Sequence, residues 1–414
     1  MIVDPAESIQ FFIKCGKKCI FRYYSKSVSS VDLRKKGSRE TVSSNGSTDL
    51  SSPAASNHFP TVMFTKYSGK LRVLSQHVLQ QCVADAEETV KVYGYVSSFG
   101  KNQVRAQLTK ILADSRDRLL VPVGSSGTGL ATLKSDMDFT LLTSLDKKRR
   151  DLISHRFHDQ IFRKDFMSRY MRAIASSHFG KNNIDWKMSQ SLWNAHVPLL
   201  SIRTYSGLEI DISFDSEEGI RNTYYVRHCV LQDSRVRLLN MWAQNWLSAL
   251  KLKDSRGGLF SSYHILSLVL HFLQYRNYKF LDPLLPVVYE NSSDELSKLI
   301  PVERIAKDLM EPVKLPRVAA NTSPDVSELV IHFINHYSSL DFREVIMNLA
   351  DASISRRNGS CCDDDSLQII DPYSKGTVCH VRMGAELMNR AFRSTREMML
   401  KDKGLKWPVD LNRL

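Results

Sequence analysis

Residues 119–142, LLVPVGSSGTGLATLKSDMDFTLL, constrain the chain more than any other stretch, because they join a Gly/Ser turn to a strand that alternates acidic and apolar residues. The run 119–123 reads as an apolar strand, and the turn after it has backbone N–H groups and hydroxyls suited to phosphate oxygens. In the next strand Asp136, Asp138 and Thr140 alternate with Met137, Phe139 and Leu141. The two-residue period therefore puts both carboxylates on one face and the apolar side chains on the other. GLEIDISF repeats the pattern, with Leu208, Ile210, Ile212 and Phe214 on one face and Glu209, Asp211 and Ser213 on the other. With HVPLLSIRTY before it, this predicts a hairpin turning at Ser206-Gly207.

Three carboxylates from two strands, beside a phosphate-type turn, suit two-metal nucleotidyl transfer. Two Mg²⁺ or Mn²⁺ ions roughly 4 Å apart need hard oxygen ligands. Asp136 and Asp138 are expected to hold both ions, Asp211 the ion that activates an RNA 3′-hydroxyl, and Gly124 and Ser125 the β- and γ-phosphates. An Asp-x-Asp pair alone means little, since Asp363 and Asp365 form one in the loop CCDDDS. The alternative is three solvated strand residues, and the conjunction with the Gly/Ser turn weighs against it.

The rest of the chain fits around this unit. At 414 residues with 43% hydrophobic side chains, two domains are expected. The net charge of +13 suits a polyanionic partner but is common among basic proteins. Seven cysteines without a CxxC pair argue against a disulfide framework and for a reducing compartment. No apolar run approaches the roughly 20 residues of a membrane span. Residues 1–57 are serine-rich and basic; FFIKCGKKCIFRYYSKS resembles a mitochondrial transit peptide, although Asp4 and Glu7 are atypical. Helical periodicity is expected over 67–112, an amphipathic basic helix over 145–179, and an apolar stripe through Leu231, Leu238, Trp242, Trp246 and Ala249. SSYHILSLVLHFLQY predicts a buried helix capped at Ser261-Ser262. Helical spacing continues through VSELVIHFINHYSSLDFREVIMNLA, SLQIIDPYSKG predicts a strand and turn, and a last helix covers GAELMNRAFRSTREMML. Cys361, Cys362, Cys379 and His380 have no common zinc spacing.

The motifs VGSSGTGL, SDMDFTLL, LEIDISF, GIRNTYYVRHCVLQDSRVRLL, GGLFSSYHILSLVLHFLQY and LQIIDPY resemble, in order, the DNA polymerase β-like nucleotidyltransferases. The branch is that of the noncanonical poly(A) polymerases and terminal uridylyltransferases, most like the small mitochondrial uridylyltransferases of trypanosomatids, including the one in an editosome-like complex. The resemblance implies a mixed α+β fold: a nucleotidyltransferase catalytic domain over 58–218 and a mostly helical poly(A)-polymerase-associated domain over 219–414, with the active site in the cleft between them. It implies UTP and an RNA 3′ end as substrates, an RNA-editing complex as partner and a mitochondrial location. It assigns nucleotide contacts to Ser135, Asn222, Thr223 and Ser262, a base-stacking ring to Tyr263, and uracil recognition to Asp371. Taken alone, Asn222-Thr223 reads as a cap before a helix at Tyr224, Tyr263 as core, and Asp371-Pro372 as turn chemistry. The chain also departs from the family. Gln244 and Ser248 stand where two triphosphate-facing lysines are usual; Ile370 and Ser374 replace two glutamates; and Thr377 stands where some uridine-specific members have His. Within the same class a noncanonical poly(A) polymerase is the runner-up, and an inactive, RNA-binding scaffold is the competing reading from a different class.

Overall fold

The computed structural model describes residues 97–132, 135–195, 197–316, 323–357 and 365–400. The expected leader, the start of the helical stretch at 67, Cys361, Cys362 and Asp363 lie outside them. The first part of the chain forms α1 (Ser97–Leu112), β1 (Leu119–Pro122), α2 (Ser125–Thr128), β2 (Met137–Leu142), α3 (Lys147–Arg156), α4 (Gln160–Ser176), α5 (His178–Asn183), β3 (Gln190–Leu192), β4 (Leu199–Arg203) and β5 (Glu209–Phe214). Then come α6 (Glu217–Gln232), α7 (Ser234–Ala249), α8 (Ser262–Gln274), α9 (Val288–Asn291), α10 (Ser293–Leu296), α11 (Val302–Met310), α12 (Val326–Ser338), β6 (Val345–Asn348), β7 (Ile354–Arg356), β8 (Ile369–Ile370) and α13 (Gly384–Leu400). All lie in one compact unit.

The two alternating strands meet in a five-stranded sheet of order β1-β2-β5-β4-β3. β2 and β5 run parallel, whereas the other neighbours are antiparallel. As the alternation predicts, Met137, Phe139, Leu141, Ile210 and Ile212 are buried in one core with Leu108 of α1 and Met167 and Ile174 of α4. The β4–β5 hairpin turns at Gly207, whose φ of 85° suits a residue without a β-carbon. A second core holds the helical part, where Tyr225, Trp246, Leu268, Phe333, Tyr337 and Phe392 from α6, α7, α8, α12 and α13 pack together. Between them, Val121 and Leu142 on the sheet pack against Ile220 of α6 and Ile305 and Leu309 of α11.

Local signals explain where the structure departs from the sequence pattern. The basic stretch is three helices, because Asp146 and Asp159 each accept two backbone N–H groups and start a new helix, as Ser177 does for α5. α6 begins at Glu217 with Ser216 as its cap, so Asn222 and Thr223 lie inside a helix and do not cap one. Leu231 is 39% exposed and drops out of the apolar stripe. The helical pattern after α12 ends at Ser338; Val345–Asn348 form a strand between β7 and β8, where β-branched Val345 and Ile346 find sheet neighbours. β3, three residues long, had no signal of its own. Ser261 does cap α8, in a reciprocal box with His264.

Candidate active site

Register brings the acids together. Asp138 on β2 is paired directly with Asp211 on parallel β5, so the two carboxylates are neighbours on the polar face about 4.8 Å apart in backbone spacing. Asp136 lies just ahead of β2, at the exposed rim. Burial pushes the Asp138 carboxyl up to about 6, with the negative charges of Asp211 and Asp136 adding to the effect and Lys101 opposing it. Burial and Asp211 also raise Asp136, against Arg256, Lys101 and Arg203. Lys101 comes from α1, where its Nζ donates to the Ser135 carbonyl at 2.7 Å. That contact fixes the segment carrying Asp136, and no sequence spacing announced it.

The turn before β2 is built against the same carboxylates. Gly124 has φ 58° and ψ −140°, a conformation essentially restricted to glycine, and a β-carbon there would lie 2.9 Å from Asp138 Oδ2. Ser125–Thr128 wind into a single helical turn. The Ser126 hydroxyl accepts the Asp138 N–H at 3.3 Å, and Val123 N–H donates to the Asp138 carbonyl at 3.0 Å. Thr223 reaches this turn from α6: its hydroxyl accepts from Gly124 N–H at 3.0 Å and donates to the Gly219 carbonyl at 2.6 Å. At 4% exposure with both contacts made, it holds the turn in place. Asn222 beside it has a buried Oδ1 with no hydrogen-bond partner.

The remaining predicted residues gather at the N-terminus of α8. Tyr263 donates its hydroxyl to Asp371 Oδ2 at 3.5 Å, joining two positions far apart in sequence. Burial and that carboxylate hold the phenol protonated. Asp371 is 2% exposed, and its Oδ1 accepts the N–H groups of Tyr373 and Ser374, each at 2.8 Å. Ser262 is exposed, and its carbonyl accepts from Gln244 Nε2 at 2.8 Å; Ser248 Oγ donates to the Gln244 carbonyl. Thr377 is engaged within its own loop, donating to the Leu367 carbonyl and accepting from the N–H groups of Ile369 and Cys379. Helix α6 carries Thr223 on the Gly124 turn and, two residues further on, Tyr225, whose hydroxyl accepts from Gln274 at the C-terminal end of α8. Cys379 is buried with its thiol pushed up to about 11, while His380 is exposed.

Residues 96–230 match the model of the central palm domain of mitochondrial-like poly(A) RNA polymerases. The solved structure of a GLD-2/RNP-8 complex superposes with a TM-score of 0.59, covering 79% of this chain and 95% of that one at 18% identity. The fold is that of the nucleotidyltransferase polymerases. The Cid1 poly(U) polymerase, bound to MgGTP, gives a TM-score of 0.55 over 80% of this chain and 96% of that one, at 18% identity. In sequence, this nucleotidyltransferase-fold chain is 24% identical to human poly(A) RNA polymerase GLD2 over 63% of its own length and 50% of the relative's. It is 29% identical to the Drosophila melanogaster gld-2 homolog B over 55% of its length and 16% of the relative's. The chain thus spans half or less of these relatives' length.

The donor set of this nucleotidyltransferase fold fits hard divalent cations. Asp211 Oδ1 is buried and has no hydrogen-bond partner, and Asp138 is crowded by two other carboxylates. Among the described residues no group of three acidic, His or Cys side chains is already placed to hold a metal ion. The three aspartates form an open, mutually repelling array, which positive charge would relieve.

Proposed function

We propose that the chain is a template-independent nucleotidyltransferase that extends RNA 3′ ends and releases pyrophosphate. The observation that carries this is the pairing of Asp138 with Asp211 beside the Gly124 turn. Asp136, Asp138 and Asp211 are the residues that would hold two Mg²⁺ or Mn²⁺ ions, whose chemistry is to activate the 3′-hydroxyl and stabilise charge on the transferred phosphate. The protein's own groups do the rest. Ser125 offers its N–H and hydroxyl to the triphosphate, while Thr223 takes up the Gly124 N–H and keeps the glycine in its positive-φ conformation. Tyr263 offers a ring for the base, while Asp371 orients that ring through its hydroxyl. Ser262 lies exposed at the start of α8, with Gln244 bound to its carbonyl where a lysine is usual in the family.

ATP is the donor favoured by the named relatives, which are poly(A) polymerases, and by Thr377, which presents no imidazole and is engaged in its own loop. UTP is the second reading. It is favoured by the buried Asp371 carboxylate, an acceptor suited to the N3–H of uracil, beside Tyr263. A mitochondrial location is part of the proposal, resting on the transit-peptide-like sequence of residues 1–57, and fluorescence of a full-length fusion tests it. Partner proteins of an RNA-processing complex, editing included, belong to the same proposal.

The deciding assay supplies the full chain, a labelled short RNA and Mg²⁺ with each of the four nucleotides in turn. Extension with ATP is expected, and a clear preference for UTP would reverse the donor assignment. Asp138→Ala should abolish extension with no loss of melting temperature. If the native chain binds RNA but extends it with no nucleotide, the scaffold reading replaces this one.

A further inference from the structure

The sheet order places the three carboxylates between two regions of different chemistry. On one side of β2 lies β1 with the Gly124-Ser125 turn; on the other, past β5, lies β4. There the polar face carries an ion cluster that the reading above leaves without a role. Glu209 stands two residues before Asp211 on the same strand, hence on the same face. Arg203 is its partner in register on β4, and its guanidinium is ion-paired with Glu209 Oε1. Arg256, in the loop between α7 and α8, reaches the same carboxylate, Nη2 lying 2.7 Å from Oε2. Both guanidiniums are near enough to favour the charged form of Asp136.

Two guanidiniums on one carboxylate leave a net positive charge beside a cluster of acids. The Arg256 side chain is 74% exposed, and an exposed ion pair of this kind contributes little stability. Arg256 can therefore move to another anion at small cost, and its planar fork matches phosphodiester oxygens. In an in-line displacement the attacking and leaving oxygens lie on opposite sides of the phosphorus. With pyrophosphate leaving toward Gly124, the attacking strand arrives from the Asp211 side, where the cluster stands.

We propose that Arg203 and Arg256 form a docking site for the phosphodiester backbone of the RNA strand being extended, with Glu209 holding both guanidiniums until the strand replaces it on Arg256. The assignment rests on the nucleotidyl-transfer reading and adds the path of the acceptor strand.

Binding of a labelled single-stranded RNA to the full chain, without nucleotide, is measured by fluorescence anisotropy across a series of KCl concentrations. Arg256→Ala should weaken binding about tenfold, as loss of one charge-assisted contact does. It should also reduce the slope of log affinity against log salt by about 0.7, the value for one phosphate contact on a single strand. Glu209→Gln, which removes the competing charge and keeps the shape, should tighten binding. In steady state the KM for RNA should rise in Arg256→Ala while the KM for nucleotide stays unchanged. Unchanged RNA affinity and salt slope in Arg256→Ala would overturn the site and leave Arg256 as a link between the helical part and the sheet. That result with normal nucleotide transfer would leave the transferase reading intact. RNA binding with the expected slopes but no transfer by the native chain would instead remove the transferase reading and keep the site.

Discussion

At the residue scale the candidate site depends on a few side chains whose contacts are already complete. The Thr223 hydroxyl is the acceptor for Gly124 N–H, so Thr223→Val keeps the shape and leaves that donor without a partner. Unfolding free energy should fall by about 1–2 kcal/mol. Nucleotide kcat/KM should fall by about tenfold or more, which corresponds to roughly 1.4 kcal/mol of misplacement. Urea denaturation and steady-state kinetics measure the two effects, and an unchanged kcat/KM would remove Thr223 from the turn's support. Gly124→Ala is harsher. Alanine must adopt φ 58°, ψ −140° with its β-carbon 2.9 Å from Asp138 Oδ2, so extension should be lost even where the melting temperature shows the chain folded.

At the scale of elements, one buried charge ties the sheet region to the helices. Arg150 of α3 is 2% exposed; its Nη1 donates to the Ser144 carbonyl at 2.9 Å, and its Nη2 pairs with Glu217 of α6 and with Glu303 of α11. Replacing one partner of a buried pair leaves the other charges uncompensated, so Arg150→Met should cost about 3–5 kcal/mol. The double variant Arg150→Met, Glu303→Leu should recover much of that loss in urea denaturation. Recovery of nothing would mean that the packing of the arginine stem, rather than its charge, holds these helices. Elements were unevenly legible in the sequence. The two acidic strands, the hairpin at Gly207 and the α8 cap were readable because period and cap chemistry are local. The strand Val345–Asn348 was not, since its apolar spacing also fits a helix and only its neighbours β7 and β8 select the extended form.

At the scale of the whole molecule, the helical core contains histidines that burial keeps neutral. His271 and His332 are lowered to about 4, and His336, whose Nε2 is buried without a partner, to about 3. Their folded-state values lie below the ordinary 6.5, so as pH falls through 6.5 the unfolded chain binds protons that the folded chain does not. Stability should therefore be full above pH 6.5 and fall between 6.5 and about 4, by up to about 1.4 kcal/mol per pH unit for each histidine. Melting temperature measured from pH 7 to pH 5 should drop with or without added divalent ions. His336→Phe, placed among the rings of Phe272, Tyr275 and Tyr337, should make the drop shallower. A flat profile would mean that these groups take up protons in the folded state without cost.

The sequence by itself determined which faces of two strands are acidic and which are apolar, because a period of two leaves a side chain no other choice. It also led to the expectation that Gly124 and Ser125, and through family resemblance Asn222, Tyr263 and Asp371, belong to one site. It could not supply the pairing of Asp138 with Asp211, the Thr223 hydroxyl under Gly124, the reach of Lys101 to the Ser135 carbonyl, or the meeting of Arg256 with Glu209. Those contacts join segments tens of residues apart. No local periodicity encodes them; they exist only once the sheet order and the packing of α1, α6 and the α7–α8 loop bring the side chains within hydrogen-bond range.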